Sequence, residues 1–268
     1  MREPSGERFD ALVRIMERLR ADGGCPWDRE QTRQSLKPFL IEEAYEVVEA
    51  IDEGDAGKLL EELGDLLFQV VFHAQVAAER GEFTIGQVLA ATADKMVRRH
   101  PHVFSDGTAS TAGEVLEQWE KLKREERDAV AAVPGSALDG VPKELPALLR
   151  AQRLQDKASR AGFDWPEISG VIAKVHEELD ELRVAVQAAA PNEIELELGD
   201  LLFSLVNMAR FLNLSAEDAL RKSIGRFSAR FRYMEQAVEG GGRRLKEASP
   251  EEMNSLWEEA KAWRLPLA

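Results

Sequence analysis

The chain of 268 residues has one cysteine, two tyrosines and no apolar run long enough to span a bilayer. A single thiol, Cys25, excludes a disulfide framework and a zinc knuckle. Its place in the turn GGCPWD marks it as a small packed residue. The phosphate-binding pattern G-x-x-x-x-G-K-[ST] is missing, which excludes a P-loop NTPase. Strand-like alternation is missing at any useful length. The first residues, MREPSGERFDALV, lack the apolar stretch of a signal peptide, so a cytoplasmic protein is expected. Positive charge is also short: 35 Lys and Arg face 49 Asp and Glu, for a net charge of −14. That deficit excludes a general nucleic-acid binder, whose affinity comes from cationic surface. It leaves room for polyanionic nucleotides only if metal ions lie between the two sets of negative charge.

What is present is a repeat. The pentapeptide GDLLF occurs at Gly64–Phe68 and again at Gly199–Phe203, 135 residues later. The same step carries Glu43 to Glu178, Glu46 to Glu181, Glu62 to Glu197 and Asp65 to Asp200. Downstream, Trp119 and Lys123 recur as Trp257 and Lys261, with the step grown to 138. A period this long is a duplicated domain, and the drift is a difference in loop length. The Pro-, Gly- and Ala-rich stretch AVAAVPGSALDGVPKELP separates the copies. Two tandem domains, 1–135 and 136–268, are expected.

Each half has helical periodicity throughout, giving an all-α class of tandem helical bundles. Phe9, Leu12, Val13, Met16 and Leu19 form one apolar stripe. Pro38 suits the first turn of a second helix. Gly54 is the expected stop, Asp55 the N-cap of the next helix, and Thr84 to Arg99 a further one. Leu59, Leu63, Leu66, Leu67, Val70 and Val71 are the apolar positions of the helix that Asp55 starts.

Glu43 and Glu46 are three residues apart, as are Glu62 and Asp65, so each pair projects from one helix face. The connection between their helices is short, so the helices are antiparallel neighbours and the pairs face each other. Four converging carboxylates repel unless cations or protons compensate. Hard divalent cations take oxygen ligands, which points to Mg²⁺, with Mn²⁺ as an alternative. None of His73, His100, His102 or His176 follows a glutamate by three residues, which argues against a ferritin-like di-iron oxidase.

The segments CPWDREQT, FLIEEAYEVVEAI, ELGDLLFQVVFHAQ, KMVRRHPHVF and WEKLK together resemble the MazG nucleoside triphosphate pyrophosphohydrolases over nearly the whole chain. The resemblance implies an all-α fold, homodimers, and cleavage of NTPs and dNTPs to monophosphate and pyrophosphate in a house-cleaning role. By that likeness Glu43, Glu46, Glu62 and Asp65 hold Mg²⁺ in the first half, and Glu178, Glu181, Glu197 and Asp200 in the second. Glu46 and Glu181 are the candidate general bases. Lys95, Arg99, Trp119 and Lys123, matched by Arg226, Arg230, Trp257 and Lys261, are the candidate nucleotide-binding groups. Arg226 stands where the family commonly has lysine, so charge survives while geometry changes. The likeness also leans towards the second half as the main catalytic site. The contrasting class is a non-enzymatic nucleotide-sensing or interaction protein with vestigial sites.

Overall fold

The computed structural model describes residues 5–128 and 135–262; residues 129–134 of the expected linker lie outside the described residues. The chain divides into two compact units, the first running through Trp119 and the second starting at Glu120. The first half contains α1 (Ser5–Arg20), α2 (Pro26–Glu30), α3 (Arg33–Glu53), α4 (Ala56–Glu79), α5 (Ile85–Arg99), α6 (Pro101–Phe104) and α7 (Ala112–Asp128). The second contains α8 (Ala147–Arg160), α9 (Ile168–Gln187), α10 (Pro191–Phe211), α11 (Ala216–Glu239) and α12 (Pro250–Ala262). A 3₁₀ turn at Leu245–Glu247 precedes α12, and no strand occurs among the described residues.

Local chemistry sets the helix ends. Asp55 accepts from the Gly57 and Lys58 backbone N–H groups and starts α4. Thr84 and Gln87 form a reciprocal capping box at the start of α5. Pro38 departs from expectation. Thr32 and Ser35 form their own capping box, so α3 begins at Arg33 and Pro38 falls inside the helix rather than in its first turn. There the proline brings no N–H, and the Gln34 carbonyl loses its usual partner four residues on.

Both long hairpins reverse through a left-handed residue. Gly54, between α3 and α4, has φ 70°, and Ala189, between α9 and α10, has φ 51°. Ala189 and Ala190 donate to the Val186 and Ala185 carbonyls, closing the last turn of α9. In the first unit α1 packs on α4, and Met16, Leu36, Val71, Phe72 and Val76 form the buried core. Phe9, Leu12, Val13, Phe39 and Phe68 flank it. In the second unit α8 packs on α10, and Val171, Ala185, Val206, Met234 and Val238 are buried. Several apolar positions on α4 stay uncovered: Leu60 is 77% exposed, and Leu63, Leu67 and Val70 are exposed too. No helix among the described residues is long and apolar enough to cross a membrane.

Candidate functional site

The hairpin geometry brings the acidic pairs together. Glu46 and Glu62 each lie eight residues from Gly54, and Glu43 and Asp65 each lie eleven. In an antiparallel pair of helices, residues equidistant from the turn stand opposite each other. The electrostatics agree with that pairing. Glu43 feels Asp65 as its strongest charged neighbour, and Glu62 feels Glu46. The second hairpin repeats the register about Ala189, with Glu181 matched to Glu197 and Glu178 to Asp200.

Carboxylate oxygens of Glu43, Glu62 and Asp65 all lie within 4.8 Å of one another, and so do those of Glu178, Glu197 and Asp200. Glu46 and Glu181 stand beside these triads, close enough for each to raise or feel its neighbours' proton affinity. Partial loss of hydration, then the Asp65 and Glu46 charges, push the Glu43 carboxyl above its ordinary range. The same order of causes raises Glu62, with Glu46, Glu61 and Asp65 as the repelling charges. Glu181 is raised by lost hydration and then by Glu178 and Glu197. Each of these carboxyls thus gains from an arriving cation.

Two residues at the clusters have no counterpart in the other half. In the first, Gln69 is buried and hydrogen-bonds Glu43, while its Oε1 has no hydrogen-bond partner. Gln69 comes four positions after Asp65 on α4, hence on one face. In the second, the Lys174 ammonium lies 2.6 Å from Glu178 and 2.7 Å from Glu177. At the matching positions stand Ser204 and Phe39. Neither residue recurs at the shared step, so the repeat carries no sign of either.

One cationic and one aromatic candidate of each half are also brought together, in an arrangement that spacing did not reveal. Arg99 lies over the Trp119 ring at 5.3 Å, and Arg230 over Trp257 at 5.6 Å. His100 meets Trp119 edge-on, and Phe227 leans on Trp257. Lys123 pairs with Glu120 at 3.3 Å, and Lys261 with Glu258 at 2.6 Å. The cation on each indole is therefore the arginine of an earlier helix. Lys95 is half-buried on α5 and Arg226 exposed on α11.

A hard divalent cation fits these residues. The donors are all oxygens, they converge from two facing helices, and an unpartnered buried carbonyl oxygen adjoins the first set. The structure thus defines an all-α class of protein that carries the same acidic hairpin twice. Comparison with known proteins makes the class specific. The MazG nucleotide pyrophosphohydrolase domain matches twice, over residues 31–104 and 167–233, covering both hairpins. A Thermotoga maritima protein named nucleoside triphosphate pyrophosphohydrolase/pyrophosphatase MazG is 48% identical over 257 residues, 96% of this chain and 97% of its own. The Escherichia coli K12 nucleoside triphosphate pyrophosphohydrolase is 45% identical over 263 residues, 97% of this chain and 99% of its own. A Bacillus subtilis protein, uncharacterized protein YabN, is 46% identical over 255 residues, 94% of this chain and 51% of its own. The chain belongs to the MazG family.

Proposed function

We propose that this chain hydrolyses nucleoside triphosphates, NTPs and dNTPs alike, to the monophosphate and pyrophosphate, as a Mg²⁺-dependent cytoplasmic house-cleaning enzyme. The duplicated acidic hairpin is the observation that carries the reading, together with the activity named for the full-length relatives. Glu43, Glu46, Glu62 and Asp65 hold the cation in one half, and Glu178, Glu181, Glu197 and Asp200 in the other; Mn²⁺ suits the same donors. When bound, the cation neutralises triphosphate charge and polarises a phosphoryl oxygen.

The chain's own groups do the rest. Glu181, the one acid of its set outside the close triad, is assigned the proton of the attacking water. Glu46 has the same place in the first copy. Arg99 and Arg230, with Lys95, Lys123, Arg226 and Lys261 on the same and later helices, supply positive charge for the phosphates. Trp119 and Trp257 offer planes for a base to stack on. The second half is assigned the greater share of turnover, and the duplicated domains run 1–135 and 136–268. A homodimer covers the exposed Leu60, Leu63, Leu67 and Val70 of α4 and the exposed Leu196, Leu198 and Leu202 of α10.

The test is product analysis with each common NTP and dNTP. Pyrophosphate and monophosphate should appear in equal amounts, vanish with EDTA and return with Mg²⁺. Nucleotide binding without turnover would replace the enzyme with a sensor, and full turnover in a metal-free preparation would remove the cation. Sedimentation of Leu63→Lys, expected as monomer where the parent chain is dimer, tests the assembly.

A further inference from the structure

The two acidic clusters differ in where their nearest cation is bonded. The first has four carboxylates facing one another across α3 and α4. The second has the same four, and the Lys174 ammonium sits directly on one of them, Glu178, whose residue is only 4% exposed. The matching position in the first half is Phe39, whose ring packs against the core and meets Trp27 edge to face at 5.8 Å. Lysine at this position is thus on the helix face of the cluster, one turn before its buried carboxylate.

We infer that Lys174 is a tethered counter-cation, which makes the second cluster bind a free divalent metal more weakly than the first. The inference rests on the reading of both clusters as metal sites. A metal ion entering the second cluster must displace the ammonium from Glu178 or share that carboxylate with a like charge. In the first cluster the Lys58 charge reaches Glu62, but its ammonium bonds Glu49 and Glu53 at 3.1 and 3.0 Å rather than a cluster carboxylate, and Gln69 adds an oxygen without a hydrogen-bond partner. The other charged groups at the second cluster, Glu177, Asp180, Glu181, Glu193, Glu197 and Asp200, are all acidic. Removing Lys174 therefore leaves that cluster without its counter-charge. The difference also separates the metal-free states. The empty first cluster is repulsive, whereas the empty second cluster holds its own cation.

Mn²⁺ titration of the full chain, monitored by electron paramagnetic resonance without nucleotide, tests this. Glu197→Gln isolates the first site and Glu62→Gln the second. The first site should bind about tenfold more tightly, the worth of one partly buried ion pair. In the Glu62→Gln background, Lys174→Met keeps the aliphatic stem and should tighten the second site about tenfold, whereas Lys174→Arg should leave it weak. Equal affinities in the parent chain, or no tightening in a folded Lys174→Met chain, would overturn the inference while leaving the metal reading intact. Mn²⁺ bound at neither site would instead overturn the metal reading itself, and with it this one.

Discussion

Ala189 is held where alanine is unfavourable, and its twin position shows the remedy. Both residues reverse a hairpin with positive φ, 51° at Ala189 and 70° at Gly54. A Cβ in the left-handed region costs about 1–2 kcal/mol through its clash with the next carbonyl. Glycine in its place removes that cost but enlarges the unfolded ensemble, returning about 0.4–1 kcal/mol. The exposed Ala189 methyl belongs to none of the buried core, so little packing is lost. Ala189→Gly should therefore stabilise the second domain by about 0.5–1 kcal/mol. The reciprocal Gly54→Ala should destabilise the first by a similar amount, because a Cβ at Gly54 meets nothing within 4 Å and only the backbone cost remains. Urea unfolding read separately for each domain measures both, since a chain of two units need not unfold in one step. A destabilised Ala189→Gly, or a Gly54→Ala with unchanged midpoint, would refute the conformational account.

Glu197→Gln keeps size and removes one charge from the second cluster; turnover should fall at least ~10²-fold, with Glu62→Gln losing far less. The opposite ranking in steady-state assays would make the first domain the enzyme. In EDTA neither variant should melt below the parent chain, because each loses a repelled carboxylate. Arg20→Ala removes a buried guanidinium that bonds both Glu79 oxygens and the Asp28 and Gln31 carbonyls, and should cost about 2 kcal/mol by chemical denaturation at neutral pH. The Arg20 hydrogen bonds hold the Glu79 carboxyl below its usual 4.5. That stabilisation is present above the unfolded value and fades as pH falls through the lower folded one. The gap between parent and Arg20→Ala should accordingly narrow below about pH 4.5, and a gap constant down to about pH 3 would contradict it. Gly170→Ala drives a Cβ to 2.6 Å from the Trp165 ring and should cost about 1–3 kcal/mol, visible as altered tryptophan fluorescence.

Much of the fold and of the acidic site was legible in the residues. Asp55, Thr84 and Gly54 are local signals, and each acts where the sequence puts it. The paired spacing of Glu43, Glu46, Glu62 and Asp65 contains the cluster because a short turn leaves the helices only one way to pair. Other features depend on what lies across a groove. Pro38 suggested a helix start, but the Thr32–Ser35 box begins α3 earlier. Leu63, Leu67 and Val70 belong to the apolar positions of α4 yet stay exposed, because periodicity reports an apolar face without saying what covers it. Lys174 and Gln69 sit at helical spacing from their carboxylates, yet neither recurs, and recurrence was the filter that lifted the acidic set above ordinary surface charge. The arginines on Trp119 and Trp257 come from an earlier helix, a tertiary contact invisible in the Trp-x-x-x-Lys spacing.

The mirror register about Gly54 and Ala189 also explains where these two copies were free to change length. Each residue added to a helix turns the rest of that helix by about 100° and advances it about 1.5 Å. One insertion between Glu46 and Glu62 would thus swing an entire ligand pair off the shared face, whatever its composition. The copies keep a step of 135 from Glu43 to Phe68; it falls to 131 at Lys95 and Arg226 and rises to 138 at Trp119 and Trp257, so length changes only beyond the acidic positions. Helix length between the turn and the acids is therefore as much a part of the binding chemistry as the carboxylates. A single residue inserted within α4 between Ala56 and Glu62, or within α10 between Pro191 and Glu197, should cripple that site while leaving all four of its acids in the chain.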